Sequence, residues 1–236
     1  MRLLQDGDEA GCFPQSRHLP QLEAQVEYVI VFYASELILD PNTAHIHLSL
    51  SEGNRKVTWV KVDQLYPDHS ERFDRWPQVL CREGLSGSCY WEAKWSGEGV
   101  RIAVAYKSIQ RKGGSDESTT DSLLGRNDKS WSLWCSPLRY TAMHNNKGTG
   151  IPAPSSRSRR VAVYLDWLAG TLSFYSVSSD TLTHLHTFHS TFTEPLYPGF
   201  GVYHMGSSVS LVSVVFCKCR LLKMKKSKTE PHSSEE

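Results

Sequence analysis

The stretch Arg160–Val177 constrains this chain more than any other. Val161, Val163 and Leu165 alternate with Ala162, Tyr164 and Asp166, the period-2 pattern of a β-strand. Thr171–Val177 then supplies the aromatic and β-branched residues that suit a pleated, half-buried surface. Between them, Asp166-Trp167-Leu168-Ala169-Gly170 reads as a hairpin loop in which Gly170 is free to take positive φ. Asp166 at the strand end is read as capping its own turn rather than as a catalytic acid.

The same alternation recurs on both sides. Ile46, Leu48 and Leu50 alternate with polar residues, and Gly53-Asn54 turns the chain into Lys56–Val62. Val79–Cys81 is a short strand, and Cys89, Trp91, Ala93 and Trp95 share one face of the next. Ile102, Val104 and Tyr106 form the apolar side of Arg101–Tyr106. Trp131, Leu133 and Cys135 share a face, with Trp134 on the opposite one. Leu182–Phe188, Tyr197–Tyr203 and Ser208–Phe216 follow. About a dozen short strands with few helical patterns predict an all-β sandwich. Polar connections are expected at Asp63–Pro77, Lys107–Lys129 and Asn145–Arg159; the second is long enough to be functional or disordered. Leu22–Tyr33 fits a short helix or a strand, and Met1–Pro20 has the composition of a disordered end.

Composition excludes several function classes. The net charge of +1 gives no bulk electrostatic case for nucleic acid or an anionic membrane. No apolar run is long enough for a transmembrane helix, and Met1-Arg2-Leu3-Leu4 passes straight into polar residues, so no membrane insertion and no secretory signal are expected. The six cysteines form no dense framework, and a reducing cytoplasmic setting is the expectation. His184, His186 and His189 have a metal-like spacing, and a regular strand puts the first two on one face. Without a nearby cysteine pair they read as partly exposed histidines, and so do His45 and His47. No nucleophile elbow, P-loop or paired-acid strand is present, so no enzyme activity and no cofactor are expected. The tail Cys217–Glu236 is basic and reads as disordered, with weak acidic-lipid contact or palmitoylation at Cys217 or Cys219 as minor readings.

Four motifs carry a family resemblance. Leu165-Asp166-Trp167 with Gly170–Tyr175 resembles the late-strand signature of PRY–SPRY domains. Leu39–Ala44 resembles the opening of the PRY segment, Gly87–Glu92 the start of the SPRY part, and Tyr197–Phe200 a weaker late match. The chain looks most like C-terminal modules of fish NOD-like receptors, tripartite-motif proteins and stonustoxin-like proteins. The resemblance implies a bent antiparallel β-sandwich, a concanavalin-like jelly roll, with PRY over residues 34–86 and SPRY over 87–216. Residues 1–33 are left as a partly disordered or helical segment, and 217–236 as a disordered tail. Where the family has Trp-Glu-Val, this chain has Trp91-Glu92-Ala93.

Function is expected in the loops. Long polar connections on a rigid sandwich are where recognition resides, and Tyr, Trp and Arg supply contact area with few lost rotamers. In PRY–SPRY domains such loops gather into one protein-binding surface. The corresponding segments here are Tyr66–Arg75, Lys107–Asp128, Arg139–Ser156 and Tyr203–Ser207. The candidate contacts are Tyr66, Asp68, His69, Arg72, Phe73, Lys107, Trp134, Arg139, Tyr140, His144, Tyr203 and His204. Trp134 reads equally as a ligand-facing aromatic or an ordinary core tryptophan, while Phe73 and Trp76 read rather as closing the PRY segment over the core. The expected function is non-catalytic binding of a protein partner at one end of the sandwich, in innate-immune or ubiquitin-pathway recognition. A lectin-like glycan binder and a fragment of a stonustoxin-like pore-former are the alternatives.

Overall fold

The computed structural model describes residues 27–30, 35–113, 120–156, 158–179, 181–213 and 221–225. In chain order its strands begin with β1 (Glu27–Ile30), β2 (Leu48–Ser51), β3 (Lys56–Trp59), β4 (Gln78–Leu80) and β5 (Ser88–Ser96). Next come β6 (Val100–Tyr106), β7 (Ser130–Cys135), β8 (Arg139–His144), β9 (Lys147–Pro152) and β10 (Arg160–Asp166). The last are β11 (Thr171–Ser178), β12 (Thr181–His189), β13 (Leu196–Val202), β14 (Ser208–Val212) and β15 (Leu221–Lys225). There is no helix among the described residues. One sheet has the order β1-β15-β12-β11-β10-β5-β14-β3-β2, the other β4-β13-β6-β7-β8-β9. Every pair is antiparallel except β12 with β15. The expected all-β sandwich is the fold.

The hairpin that opened the sequence reading forms as its pattern requires. β10 pairs β11 from Val161↔Ser176 to Asp166↔Thr171. Gly170 sits at φ 68°, and the Asp166 carboxylate accepts the Ala169 N–H at 3.0 Å, so the Asp caps the turn. The core lies between the sheets. Across the six-stranded sheet the cross-strand row Phe200–Ile102–Leu133–Ala142 faces inward, meeting Trp91, Ala93, Val163 and Phe174 of the other sheet in one apolar cluster. Burying each larger side chain there contributes roughly 1.5–3 kcal/mol. Ala93 is fully buried in this cluster, so the departure from Trp-Glu-Val is accommodated by packing.

Four expectations are corrected. Asn145–Arg159 is not one polar connection, because Lys147–Pro152 pairs with β8 as β9 through a turn whose Asn145 and Asn146 both take positive φ. Leu22–Tyr33 holds a strand rather than a helix at Glu27–Ile30, and the basic tail holds its partner strand at Leu221–Lys225. The rest of both ends, with Cys217, Cys219 and the lipid reading, lies outside the described residues. His184 and His186 do not share a face. Tyr175 pairs with His184 and Phe174 with His186, leaving Leu185 as an extra residue in a bulge. His184 therefore bonds Thr187 beside Tyr175, while the His186 ring packs on Phe188.

Candidate functional site

The site is built on the outer face of the six-stranded sheet, the face turned away from the core. One row of paired residues crosses it: Gln78, Gly201, Arg101, Trp134, Thr141 and Gly150. Strand alternation puts Trp134 on this face, with Leu133 and Cys135 inward. Two glycines make room for its aromatic rings. A Cβ at Gly99 would lie 2.4 Å from Trp134 Cζ2, and one at Gly201 would lie 2.2 Å from the Tyr203 hydroxyl. Trp134 and Tyr203 stand 5.8 Å apart, and the His204 ring lies 6.2 Å from Trp134. Trp134 and Tyr203 thus each rest against a glycine, with the His204 ring beside Trp134.

Arg101 lies beneath them. Its guanidinium is 5.7 Å from the Trp134 ring and 5.9 Å from Tyr203, within cation–π range. Arg101 Nη1 donates to the Leu124 carbonyl at 2.7 Å, which ties the long loop after β6 back over the sheet. Gln78 holds the same loop, accepting the Leu124 N–H at 3.1 Å and donating to the Ser122 carbonyl, while Tyr203 donates to Gln78 Oε1 at 3.4 Å. Burial raises the Tyr203 phenol pKa, and Arg101 beside it partly offsets that. Around the patch the same end of the sandwich exposes Arg139, Leu138 (87 %) and Met205 (75 %). His204 Nδ1 faces Glu98 at 3.8 Å. A cleft of about 530 Å³ opens beside it between the sheets, lined by Trp95, Leu138, Tyr140, Pro154 and Arg159 among others.

The candidate contacts do not form one patch. Trp134, Arg139, Tyr203 and His204 fall at the end just described. Tyr66, Asp68, His69 and Lys107 belong to a second group. There Lys107 pairs with Glu71 at 3.2 Å, and Lys112 donates to the His69 carbonyl. Lys107 follows the far end of β6, about 17 Å along the strand from Arg101. Tyr66 is half-buried, its hydroxyl donating to Leu48 O at 2.8 Å, and Asp68 is exposed.

Four candidates are withdrawn by burial or direction. Arg72 is buried and donates to the carbonyls of Pro41, Ala44 and Pro67, so it staples its loop. Phe73 is buried over Leu80, Ala103 and Leu124, with Arg111 stacked on its ring at 4.8 Å. Tyr140 is only 2 % exposed and donates to Ser158 O at 3.0 Å. His144 lies on the same inward face, stacked on Trp131 at 4.5 Å. Tyr140 and His144 pair with Cys135 and Trp131, and paired residues share a face. Residues missed in sequence are Arg101, Gly99, Gly201, Leu138 and Met205.

No group of three or more His, Cys, Asp or Glu able to hold a metal occurs among the described residues. Burial drives the Cys81 and Cys135 thiols well above their ordinary pKa, which disfavours the reactive thiolate.

Comparison with known families identifies the fold. A model of the SPRY-associated domain, PRY, matches residues 37–85, and a model of the SPRY domain matches residues 88–214. The chain belongs to the PRY–SPRY family. The chain is 48 % identical to stonustoxin subunit beta of Synanceia horrida over 171 residues, 72 % of this chain and 23 % of the toxin subunit. It is 35 % identical to tripartite motif-containing protein 16 of Mus musculus over 184 residues, 77 % of this chain and 32 % of that protein. This PRY–SPRY chain therefore spans about a quarter to a third of these relatives. Among solved structures, a stonustoxin structure superposes with TM-score 0.70 at 38 % identity, covering 76 % of this chain and 29 % of that one. The TRIM65 PSpry domain superposes with TM-score 0.67 at 29 % identity, covering 76 % and 90 %. No helix among the described residues is long and apolar enough to cross a membrane.

Proposed function

We propose that this PRY–SPRY domain is a non-catalytic recognition module that binds a protein partner at one end of the outer face of its six-stranded sheet. The observation that carries this reading is the braced aromatic patch: Trp134 against Gly99 and Tyr203 against Gly201, with the His204 ring beside Trp134. Half-buried Trp134 and Tyr203 beside exposed Leu138 and Met205 supply the apolar centre that protein interfaces use, with His204, Arg139 and Glu98 as a polar rim. Membership of a family of interaction modules supports binding over catalysis. The likeness to tripartite-motif proteins supports a cytoplasmic role, and innate-immune or ubiquitin-pathway recognition is the setting that the family resemblance implies.

Proximity labelling in cells tests the proposal. The comparison is between wild type, a Trp134→Ala/Met205→Glu variant, and a Leu168→Glu control on the β10–β11 hairpin, where Leu168 is equally exposed. Wild type and control are expected to share partners that the patch variant loses. Partners kept by the patch variant and lost by the control would refute the proposed surface.

A further inference from the structure

The least compensated buried charge among the described residues sits directly under the proposed patch. Arg101 is only 7 % exposed, and none of the ion pairs of the described residues includes it. Its other acceptors are weak: Ser132 Oγ at 3.4 Å and Met143 Sδ at 3.7 Å, with Nε buried and unpartnered. The other two buried arginines each donate to three carbonyls, Arg111 with its Nε included, while Arg72 Nε is unpartnered as that of Arg101 is. A guanidinium removed from water is costly unless it is paired and fully hydrogen-bonded. Among the described residues the one short contact of Arg101 to a carbonyl is that to Leu124, and beside it stand the Tyr203 hydroxyl, which shares a side-chain hydrogen bond with Arg101, and the faces of two aromatic rings.

The surroundings keep this end positive. Arg139 is exposed, and Arg159 is held over Trp95 at 4.6 Å with its Nη1 donating to Gly97 O. Glu98 is the acid beside the patch, and it faces His204. Among the described residues of the overlying loop, the acids Asp121 and Asp128 are exposed and make no ion pair with Arg101. The rings covering Arg101 are only half-buried, so an incoming side chain at their edges approaches the guanidinium from solvent.

We propose that the partner segment is acidic, and that an Asp or Glu side chain seated at the Trp134–Tyr203 edge acts as the missing counter-ion of Arg101. This inference rests on the patch being the binding site and adds the chemistry of what it selects. The neutral acceptors then become the fixed part of a site that a carboxylate completes, with charge-assisted hydrogen bonds and bidentate geometry available only to guanidinium. Binding would weaken with salt, because the local field is part of the attraction.

The test is selection of a random 12-residue peptide library against the whole chain, followed by affinity measurements on one enriched peptide. Enriched sequences are expected to share an Asp or Glu next to an apolar residue. Replacing that acid by its amide should weaken binding about 10- to 100-fold, the loss expected for a charge-assisted hydrogen bond. Arg101→Met should cost the same on the original peptide and nothing on the amide peptide, and Arg101→Lys should recover only part. Should Arg101→Met fail to fold, the acid-to-amide swap on the wild-type chain carries the test alone. Peptides that need Trp134 but tolerate the amide would overturn the acidic selection and leave the patch standing. Peptides indifferent to Trp134→Ala would overturn both. A sialylated glycan array giving Trp134-dependent hits, with no acidic peptide enriched, would overturn the choice of a protein segment.

Discussion

Replacing Gly99 by Ala should disable the aromatic patch while leaving the fold standing. The backbone at Gly99 is outside the left-handed region, so alanine itself introduces no strain there. Its Cβ would instead lie 2.4, 2.8 and 3.2 Å from Cζ2, Cη2 and Cε2 of Trp134. Carbon atoms rest about 3.5–4.0 Å apart, so the indole must retreat by about 1 Å or more. Overpacking of this size costs about 1–3 kcal/mol in a core. Trp134 is half-exposed on an outer face and can swing outward, which places the expected cost near 1 kcal/mol. What the swing removes is the alignment with Tyr203 and Arg101 that makes the patch. The assay pairs partner affinity with the near-ultraviolet circular dichroism that Trp134→Phe subtracts from wild type. Gly150→Ala is the control, because a Cβ there meets nothing within 4 Å in the same cross-strand row. Gly99→Ala with an unchanged Trp134 signal and undiminished binding would refute the steric reasoning, and so would a Gly150→Ala variant with the same defect.

Three further outcomes follow from buried groups and turns. Stability should fall with acid through His45, whose buried ring is held at a pKa of about 4 by burial and by neighbouring His47, against an ordinary 6.5. The unfolded chain takes the proton first, so stability is full above about 6.5 and is lost as pH drops toward 4, by at most about 3 kcal/mol, in urea titrations that a His45→Gln variant flattens. Tyr140→Phe should cost about 1 kcal/mol by orphaning the Ser158 carbonyl, without changing partner affinity. Among the described cysteines, Cys89 should react with a thiol reagent in the native state, with Cys81 and Cys135 modified only on unfolding, as mapped by mass spectrometry.

The sandwich was legible because its strands alternate, and the site was legible only in part because sites depend on register. Trp134 could be placed on the face opposite Leu133 from its own strand alone. Tyr140 and His144 could not: their faces follow from pairing with Cys135 and Trp131 across a hairpin whose second strand set the register. β9 escaped notice because its Gly148-Thr149-Gly150 stretch carries no apolar alternation. In the sequence Arg101 is only the first residue of a strand whose apolar side is Ile102, Val104 and Tyr106, and the pairing Arg101↔Trp134 is what brings it to an indole. Arg72 and Phe73 looked like recognition residues by type, yet they hold a long loop down, a use of Arg and Phe that composition does not separate from binding. The bulge at Leu185 defeated a simple period-2 reading of the histidines.

Hydrogen exchange on the chain bound to a partner recovered by proximity labelling tests the central claim most directly. Slowed exchange is expected at residues 97–101, 134–139 and 203–207, with the loop at 107–112 and the hairpin at 166–170 unchanged. Protection confined to the latter two segments would contradict the account.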